Sequence, residues 1–151
     1  MRLDNKVAIV TGAGRGIGEE IVYRFIENGA KVTLCDVDKP ALEAVKAKVD
    51  EMNGACLLAA GDIRDRDFVG KMADDTIKEF GTLNVMVNNA AITRDAILHK
   101  MTQAQWEEVM DVNLKGTFNC IQAAATHMRS QGKGTIINVS STSRYGNVGQ
   151  L

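Results

Sequence analysis

A glycine-rich segment between an apolar run and a helix-like stretch most constrains how this chain can fold. Residues 7–10 are apolar, residues 11–18 contain four glycines, and apolar periodicity predicts a helix over about 16–28. Its expected apolar face consists of Ile17, Ile21, Phe25 and Ile26. Glycines allow a tight turn from strand to helix and a close backbone approach to a pyrophosphate. The free N–H groups and the dipole at the helix start then attract the phosphates. The segment predicts a dinucleotide-binding unit, and the alternative is a glycine turn that serves the fold alone.

The rest of the chain alternates between short apolar bursts and amphipathic, helix-length stretches. The bursts are residues 31–35, 56–59, 83–87 and 135–139. The predicted helices are about 40–52, 66–80 and 102–131, the last with a break near Asn113. Short continuous bursts are typical of strands buried on both faces of a parallel sheet. We therefore predict an α/β chain with a doubly wound parallel sheet, three layers, and one dinucleotide-binding domain over residues 1–151.

Composition narrows the classes of partner. The chain has 151 residues, 18 basic and 19 acidic, and a net charge of −1, which favours neither nucleic acid nor an anionic membrane. No apolar run approaches the ~18 residues of a membrane span, and residues 1–6 lead into a strand rather than a signal peptide. Cys35, Cys56 and Cys120 are odd in number and far apart, so we expect reduced thiols in a cytoplasmic protein without a metal site.

Several polar positions complete a recognisable pattern. They are Thr11-Gly12-x-x-x-Gly16-x-Gly18, Asp62, Asn88-Asn89-Ala90, Asn113 and the run 136–141. This pattern resembles the classical short-chain dehydrogenases/reductases, and residues 89–95 followed by Met101 are most similar to the 3-oxoacyl-carrier-protein reductases. The resemblance implies hydride transfer between NAD(P) and a 3-oxoacyl thioester, or a similar ketone or secondary alcohol, in fatty acid biosynthesis.

The resemblance also implies which residues hold the cofactor. In the glycine turn they are Gly12, Gly14, Arg15, Gly16, Ile17 and Gly18. Asp62 is expected to contact adenine through its side chain, together with the backbone N–H of Ile63. Asn89 and Ala90 are expected along the nicotinamide ribose, whereas Asn88 is expected to tie strands together.

Asp36 bears on which dinucleotide binds. It ends the second predicted strand, where a carboxylate accepts hydrogen bonds from the adenosine ribose hydroxyls. It would repel a 2′-phosphate, since two unit charges 4 Å apart cost about 1 kcal/mol in water and about 4 at an effective dielectric of ~20. This favours NAD. Arg15 leaves NADP open, because relatives that use NADP contact the 2′-phosphate with a basic residue in this loop.

For the chemical step, the resemblance implies that Asn113 and Ser141 contribute to catalysis, with Ser140 as the alternative serine. The family's Tyr-x-x-x-Lys motif is expected just beyond Leu151, and Tyr145 does not replace it because Gly149 stands four residues later. We expect the 151 residues alone to be inactive. They are either part of a longer enzyme or a short protein that binds a dinucleotide or a partner without turnover.

The long predicted helix bears on assembly. Phe118, Ile121, Ala124 and Met128 are expected to form one apolar face. In relatives this helix lies in a four-helix subunit interface, so the complete protein is expected to be a homo-oligomer, by resemblance a tetramer. In the 151 residues alone, this face and the fifth strand are expected to be uncovered.

Overall fold

The computed structural model describes residues 3–142, and strands alternate with helices along them. The strands are β1 (Val7–Thr11), β2 (Lys31–Asp36), β3 (Cys56–Ala60), β4 (Val85–Asn88) and β5 (Thr135–Asn138). The helices are α1 (Gly16–Glu27), α2 (Lys39–Glu51), α3 (Arg66–Phe80), α4 (Gln103–Met110) and α5 (Thr117–Ser130). A 3-10 turn covers Leu98–Lys100, and a π-helical turn, Asp111–Gly116, joins α4 to α5.

The five strands form one parallel sheet in the order β3-β2-β1-β4-β5. Val7 of β1 is in register with Lys31 of β2, and Ala8 is in register with Val85 of β4. The chain first builds outward from β1 to β3 and then returns to the other side of β1. The direction of winding therefore changes between β1 and β4, which is where ligands bind in open α/β sheets. The predicted doubly wound parallel sheet is confirmed.

Helices cover both faces of the sheet and give three layers. Val10 packs with Val22 and Leu42 on the α1 and α2 side, whereas its neighbour Ile9 packs with Met72 on the α3 and α5 side. Successive residues of a strand point to opposite faces, so the central strand feeds two separate cores. All five residues of β1 are buried, which makes this strand the rigid base for the turn that follows it.

Helix α1 is rotated relative to its predicted apolar face. Its buried residues are Gly18, Val22, Tyr23 and Ile26. Ile21 and Phe25 are half-buried against the same core, but Ile17, expected on that face, is 68% exposed. A Cβ on Gly18 would lie 1.9 Å from the Gly12 carbonyl oxygen, so this contact between helix and turn sets the rotation. Ile17 is consequently left exposed in the first turn of α1.

The long helical region also differs from expectation. A capping box starts α4, in which the Gln105 amide N–H donates to Thr102 Oγ1 at 3.2 Å and the Thr102 N–H donates to Gln105 Oε1 at 2.9 Å. The predicted break at Asn113 is a π-helical turn, so the helix continues without interruption.

The prediction that the apolar residues of this region form one uncovered face is wrong. Ala124 and Met128 of α5 are buried in the α3 and α5 core, whereas Phe118 is 53% exposed. Ala124 and Met128 pack toward the sheet, since Met86 of β4 belongs to the same core.

The three cysteines are free thiols; Cys35 and Cys120 are buried and Cys56 is half-buried. Burial raises the pKa of Cys120 to about 12, so its thiol stays protonated at neutral pH. Within residues 3–142, no group of His, Cys, Asp and Glu side chains is arranged to hold a metal ion. The helices of that same stretch are all too short or too polar to cross a membrane.

Candidate functional site

A cleft of about 370 Å³ lies at the carboxyl ends of β1 to β4. Seven of the predicted cofactor residues line it, namely Gly12, Arg15, Asp36, Asp62, Ile63, Asn89 and Ala90. They come from four different strand ends, and the parallel sheet brings them together because its carboxyl ends share one edge. Gly14 lies in the turn between β1 and α1, and Gly16, Ile17 and Gly18 begin α1, directly after the cleft-lining residue Arg15.

Two glycines give the turn its shape. Gly18 has no room for a side chain, since a Cβ would lie 1.9 Å from the Gly12 carbonyl oxygen. Gly16 has a φ of +58°, a left-handed conformation that favours glycine, and open space where a Cβ would stand. No described side chain caps the start of α1. Because α1 starts directly after the cleft-lining residue Arg15, its N-terminal amides and helix dipole suit a phosphate group bound there.

The Asp36 carboxylate is fixed on both oxygens by the backbone. Oδ2 accepts the Gly14 N–H at 3.0 Å, and Oδ1 accepts the Asp38 N–H at 3.1 Å. Because Asp36 ends β2 beside the glycine turn, its negative charge is held in one place at the cleft. A preorganised acceptor there suits a ribose hydroxyl and opposes a phosphate.

Asp62 is held by its neighbour Arg64. The Arg64 guanidinium donates to Asp62 Oδ2 from Nε at 2.8 Å and from Nη2 at 2.6 Å, and the Arg64 backbone N–H donates to Oδ1 at 2.8 Å. The side-chain hydrogen bond from Arg64 lowers the pKa of the Asp62 carboxyl, against an opposing effect of burial. Asp62 therefore presents a charged, oriented carboxylate to the cleft.

Thr11 connects the glycine turn to the end of β4, a role that the sequence prediction missed. Its buried hydroxyl donates to the Val87 carbonyl at 3.3 Å and accepts the N–H groups of Asn89 and Ala90, each at 3.1 Å. The Asn89 side chain adds two further hydrogen bonds between these segments, since its Nδ2 donates to the carbonyl oxygens of Thr11 at 3.0 Å and Gly12 at 3.2 Å. A hydroxyl that ends a buried strand was the available signal.

Asn88 ties two strands together, as predicted. Its Nδ2 donates to Asn138 Oδ1 at 2.8 Å, which links the carboxyl ends of β4 and β5. Asn88 is buried, whereas Asn138 is exposed at the end of β5. The pair closes this end of the sheet beside the cleft.

Asn113 is engaged with the loop that follows β4. Its Oδ1 accepts the Ile92 N–H at 2.9 Å, and its Nδ2 donates to the Ile92 carbonyl at 2.9 Å. Ile92 and Val112 both line the cleft. The side chain of Asn113 thus acts as a backbone mimic that holds the loop against the π-helical turn.

The structure places the remaining candidates outside the cleft lining. Ser140 and Ser141 follow β5 and are exposed. Tyr145 and residues 146–151 lie outside the described residues.

Comparisons with known proteins match this fold. A family model described as short chain dehydrogenase matches residues 6–150. The chain belongs to this family. Among curated short-chain dehydrogenase relatives, a 3-oxoacyl-(acyl-carrier-protein) reductase of Thermotoga maritima is 38% identical over 151 residues, covering 99% of this chain and 61% of the relative. The corresponding reductase of Staphylococcus aureus is 42% identical over 147 residues, covering 96% of this chain and 60% of the relative.

Solved structures of dehydrogenases share the fold. A short-chain type dehydrogenase/reductase from Mycobacterium marinum has a TM-score of 0.95 and 32% identity, covering 99% of this chain and 61% of that one. NAD+-bound xylitol dehydrogenase has a TM-score of 0.95 and 26% identity, covering 99% of this chain and 58% of that one. The predicted resemblance is confirmed, and a nicotinamide dinucleotide is the cofactor type of the family. The chain spans about 60% of the length of the relatives described here.

Proposed function

We propose that the cleft holds NAD, with the pyrophosphate at the start of α1 and the adenosine ribose at Asp36. The fixed carboxylate of Asp36 beside an uncapped helix start carries this proposal, because it combines an anion site with a charge that opposes a further phosphate. Arg15 also lines the cleft, so NADP is the second candidate.

The other cofactor contacts follow the order of the strand ends. Asp62 and Ile63 would hold adenine, and Asn89 and Ala90 would lie along the nicotinamide ribose. Since Asn89 Nδ2 is engaged with the backbone of Thr11 and Gly12, Asn89 would also keep the glycine turn in place. Gly12, Gly14, Gly16, Ile17 and Gly18 would form the phosphate side.

The proposed activity is hydride transfer to a 3-oxoacyl thioester or a similar ketone, or oxidation of the matching alcohol. When bound, the nicotinamide supplies or accepts the hydride. Asn113 would position the loop at Ile92, and Ser141, with Ser140 as the alternative, would hold the carbonyl oxygen. The tyrosine and the lysine of the family's Tyr-x-x-x-Lys motif would provide the proton.

The setting of this activity is also a proposal. We infer a cytoplasmic homo-oligomer, by resemblance a tetramer, that acts on small molecules in fatty acid biosynthesis and binds neither nucleic acid nor membrane. The alternative is a catalytically incomplete chain that binds a dinucleotide or a partner subunit without turnover. Reductase activity on an acetoacetyl thioester, measured with the protein at its natural length, separates the two.

The cofactor assignment is tested with Asp36→Asn, and Asp38→Asn is the matched control. Both variants remove one negative charge, and Asn serves as well as Asp at the cap of α2, where Asp38 Oδ1 accepts the Ala41 N–H at 3.1 Å. We expect tighter binding of NADH than NADPH. Asp36→Asn should shift that ratio toward NADPH by about fivefold or more, since the repulsion removed is about 1–4 kcal/mol.

Binding constants for both dinucleotides, measured by fluorescence titration, decide the outcome. Asp38→Asn should leave the ratio within about threefold, because Asp38 is exposed and does not line the cleft. A preference of the unaltered protein for NADPH, or an unchanged ratio in Asp36→Asn, contradicts the NAD assignment. Absence of binding by either dinucleotide contradicts the dinucleotide proposal itself.

A further inference from the structure

Arg64 is a charged side chain at the cleft to which neither the family pattern nor the proposed mechanism gives a role. It stands two residues after Asp62, and both residues line the cleft. Its guanidinium turns back onto the carboxylate and contacts Oδ2 through two nitrogens, at 2.8 and 2.6 Å. Its backbone N–H occupies Oδ1 at 2.8 Å. One residue thus engages both oxygens of Asp62.

This arrangement limits what Asp62 can still bind. A carboxylate offers about four acceptor positions, and Arg64 uses three of them. The Asp62 side chain is 34% exposed, so it remains open to a ligand in the cleft. The carboxylate is therefore fixed in rotation and keeps about one acceptor position for a donor group.

We propose that Arg64 is a specificity-determining positioning residue that fixes Asp62 to accept from the exocyclic amino group of an aminopurine. The inference rests on the proposed function, which places the base of the cofactor at Asp62. An ionised carboxylate accepts but does not donate hydrogen bonds. A 6-amino group satisfies it, whereas the 6-oxo group of hypoxanthine presents a second acceptor. The fixed carboxylate thus selects adenine over an oxopurine by an unfavourable contact as well as a favourable one.

A second reading of the same residue is that Arg64 serves only as positive charge near an anionic ligand. That role would strengthen binding of every dinucleotide equally, whatever its base. Arg66 is the matched control for this reading, because it is exposed at the start of α3 and lines a groove on α3 and α5 instead of the cleft. Arg64→Gln and Arg66→Gln change the net charge by the same amount.

The test compares NADH with reduced nicotinamide hypoxanthine dinucleotide, in which the 6-amino group is replaced by a 6-oxo group. Dissociation constants are measured by nicotinamide fluorescence for the protein at its natural length, Arg64→Gln, Arg64→Lys and Arg66→Gln. We expect the unaltered protein and Arg66→Gln to prefer NADH by about tenfold, the scale of one hydrogen bond to a charged group. Arg64→Gln should reduce this preference to within about threefold, and Arg64→Lys should fall between.

The outcomes separate this inference from the proposed function. Equal weakening of both ligands in Arg64→Gln, with the preference retained, assigns Arg64 to charge alone and overturns the inference. Lack of a base preference in the unaltered protein overturns it as well, while leaving dinucleotide binding intact. If neither dinucleotide binds the unaltered protein, the proposed function fails and the inference fails with it. Thermal unfolding of each variant verifies that the ratios come from folded protein.

Discussion

The two sides of the cleft are held in different ways. On the β1 side, α1 buries four residues, and its approach to the glycine turn leaves no space for a Cβ at Gly18. On the β4 side, α4 buries no residue, and the loop after β4 is tied by side chains, Asn113 to Ile92 and Arg94 to Glu108. Regions with few buried contacts open locally at lower free energy than packed ones.

This difference implies that cofactor binding and turnover respond to different changes. The proposed phosphate site is part of a packed strand-turn-helix unit, so it should fail only when backbone packing fails. The loop on the β4 side should loosen without loss of the fold, because polar contacts hold it. Variants that alter one side of the cleft at a time can therefore test this difference.

The largest effect is expected from Gly18→Ala on the packed side. A Cβ there would lie 1.9 Å from the Gly12 carbonyl oxygen, so helix and turn must separate. Overpacking of this kind typically costs about 1–3 kcal/mol of stability, and displacement of the turn should weaken NADH binding by tenfold or more. Thermal unfolding and NADH titration measure the two effects.

Gly70→Ala is the control for this change. Gly70 lies within α3, and a Cβ there would meet nothing within 4 Å. Alanine is the better helix former, so the control should gain about 0.5–1 kcal/mol of stability and bind NADH unchanged. Unaltered binding in Gly18→Ala would show that the packed side does not shape the phosphate site.

A more local effect is expected from Asn113→Leu on the polar side. The substitution leaves the N–H and C=O groups of Ile92 without their side-chain partner, at a cost of about 1–3 kcal/mol. Amide exchange at Ile92 should accelerate about tenfold or more, and turnover should fall by about 10²-fold because the loop is displaced. NADH binding should change less than about threefold.

Arg94→Gln tests the exposed tie of the same loop and should have the smallest effect. Arg94 donates to Glu108 from Nε at 2.7 Å and from Nη2 at 2.6 Å, but both side chains are 41% exposed. Exposed ion pairs contribute little to stability. If Arg94→Gln loosened Ile92 as much as Asn113→Leu does, the loop would depend on charge rather than on the Asn113 contact.

Much of the fold was predictable because each burst and helix carried its own local signal. The bounds of α3, which ends at Gly81 in a left-handed conformation, agree with the predicted 66–80. β4 starts at Val85 rather than at residue 83. The Gln131 side chain accepts the Leu83 N–H and donates to the Leu83 carbonyl, and Asn84 Oδ1 accepts the Val7 N–H. Such long-range side-chain contacts leave no periodic trace in the sequence.

The sequence indicated which residues would line the candidate cleft, but it did not indicate which contacts would hold them in place. The strand ends bring Asp36, Asp62 and Asn89 to one cleft as the pattern indicated. The exposure of Ile17 depends on how closely α1 approaches Gly12, and the Arg64 contact depends on a rotamer. Both are tertiary features, so spacing alone did not reveal them.

The central claim is that the turn over residues 12–18 seats the pyrophosphate of a nicotinamide dinucleotide. Fluorescence titration of NADH into folded protein at its natural length tests it most directly. Saturation at one NADH per chain, competed by NAD, with affinity weakened by tenfold or more in Gly18→Ala but unchanged in Gly70→Ala, is the predicted result. A folded protein that gives no saturable signal with NADH or NADPH would contradict the claim.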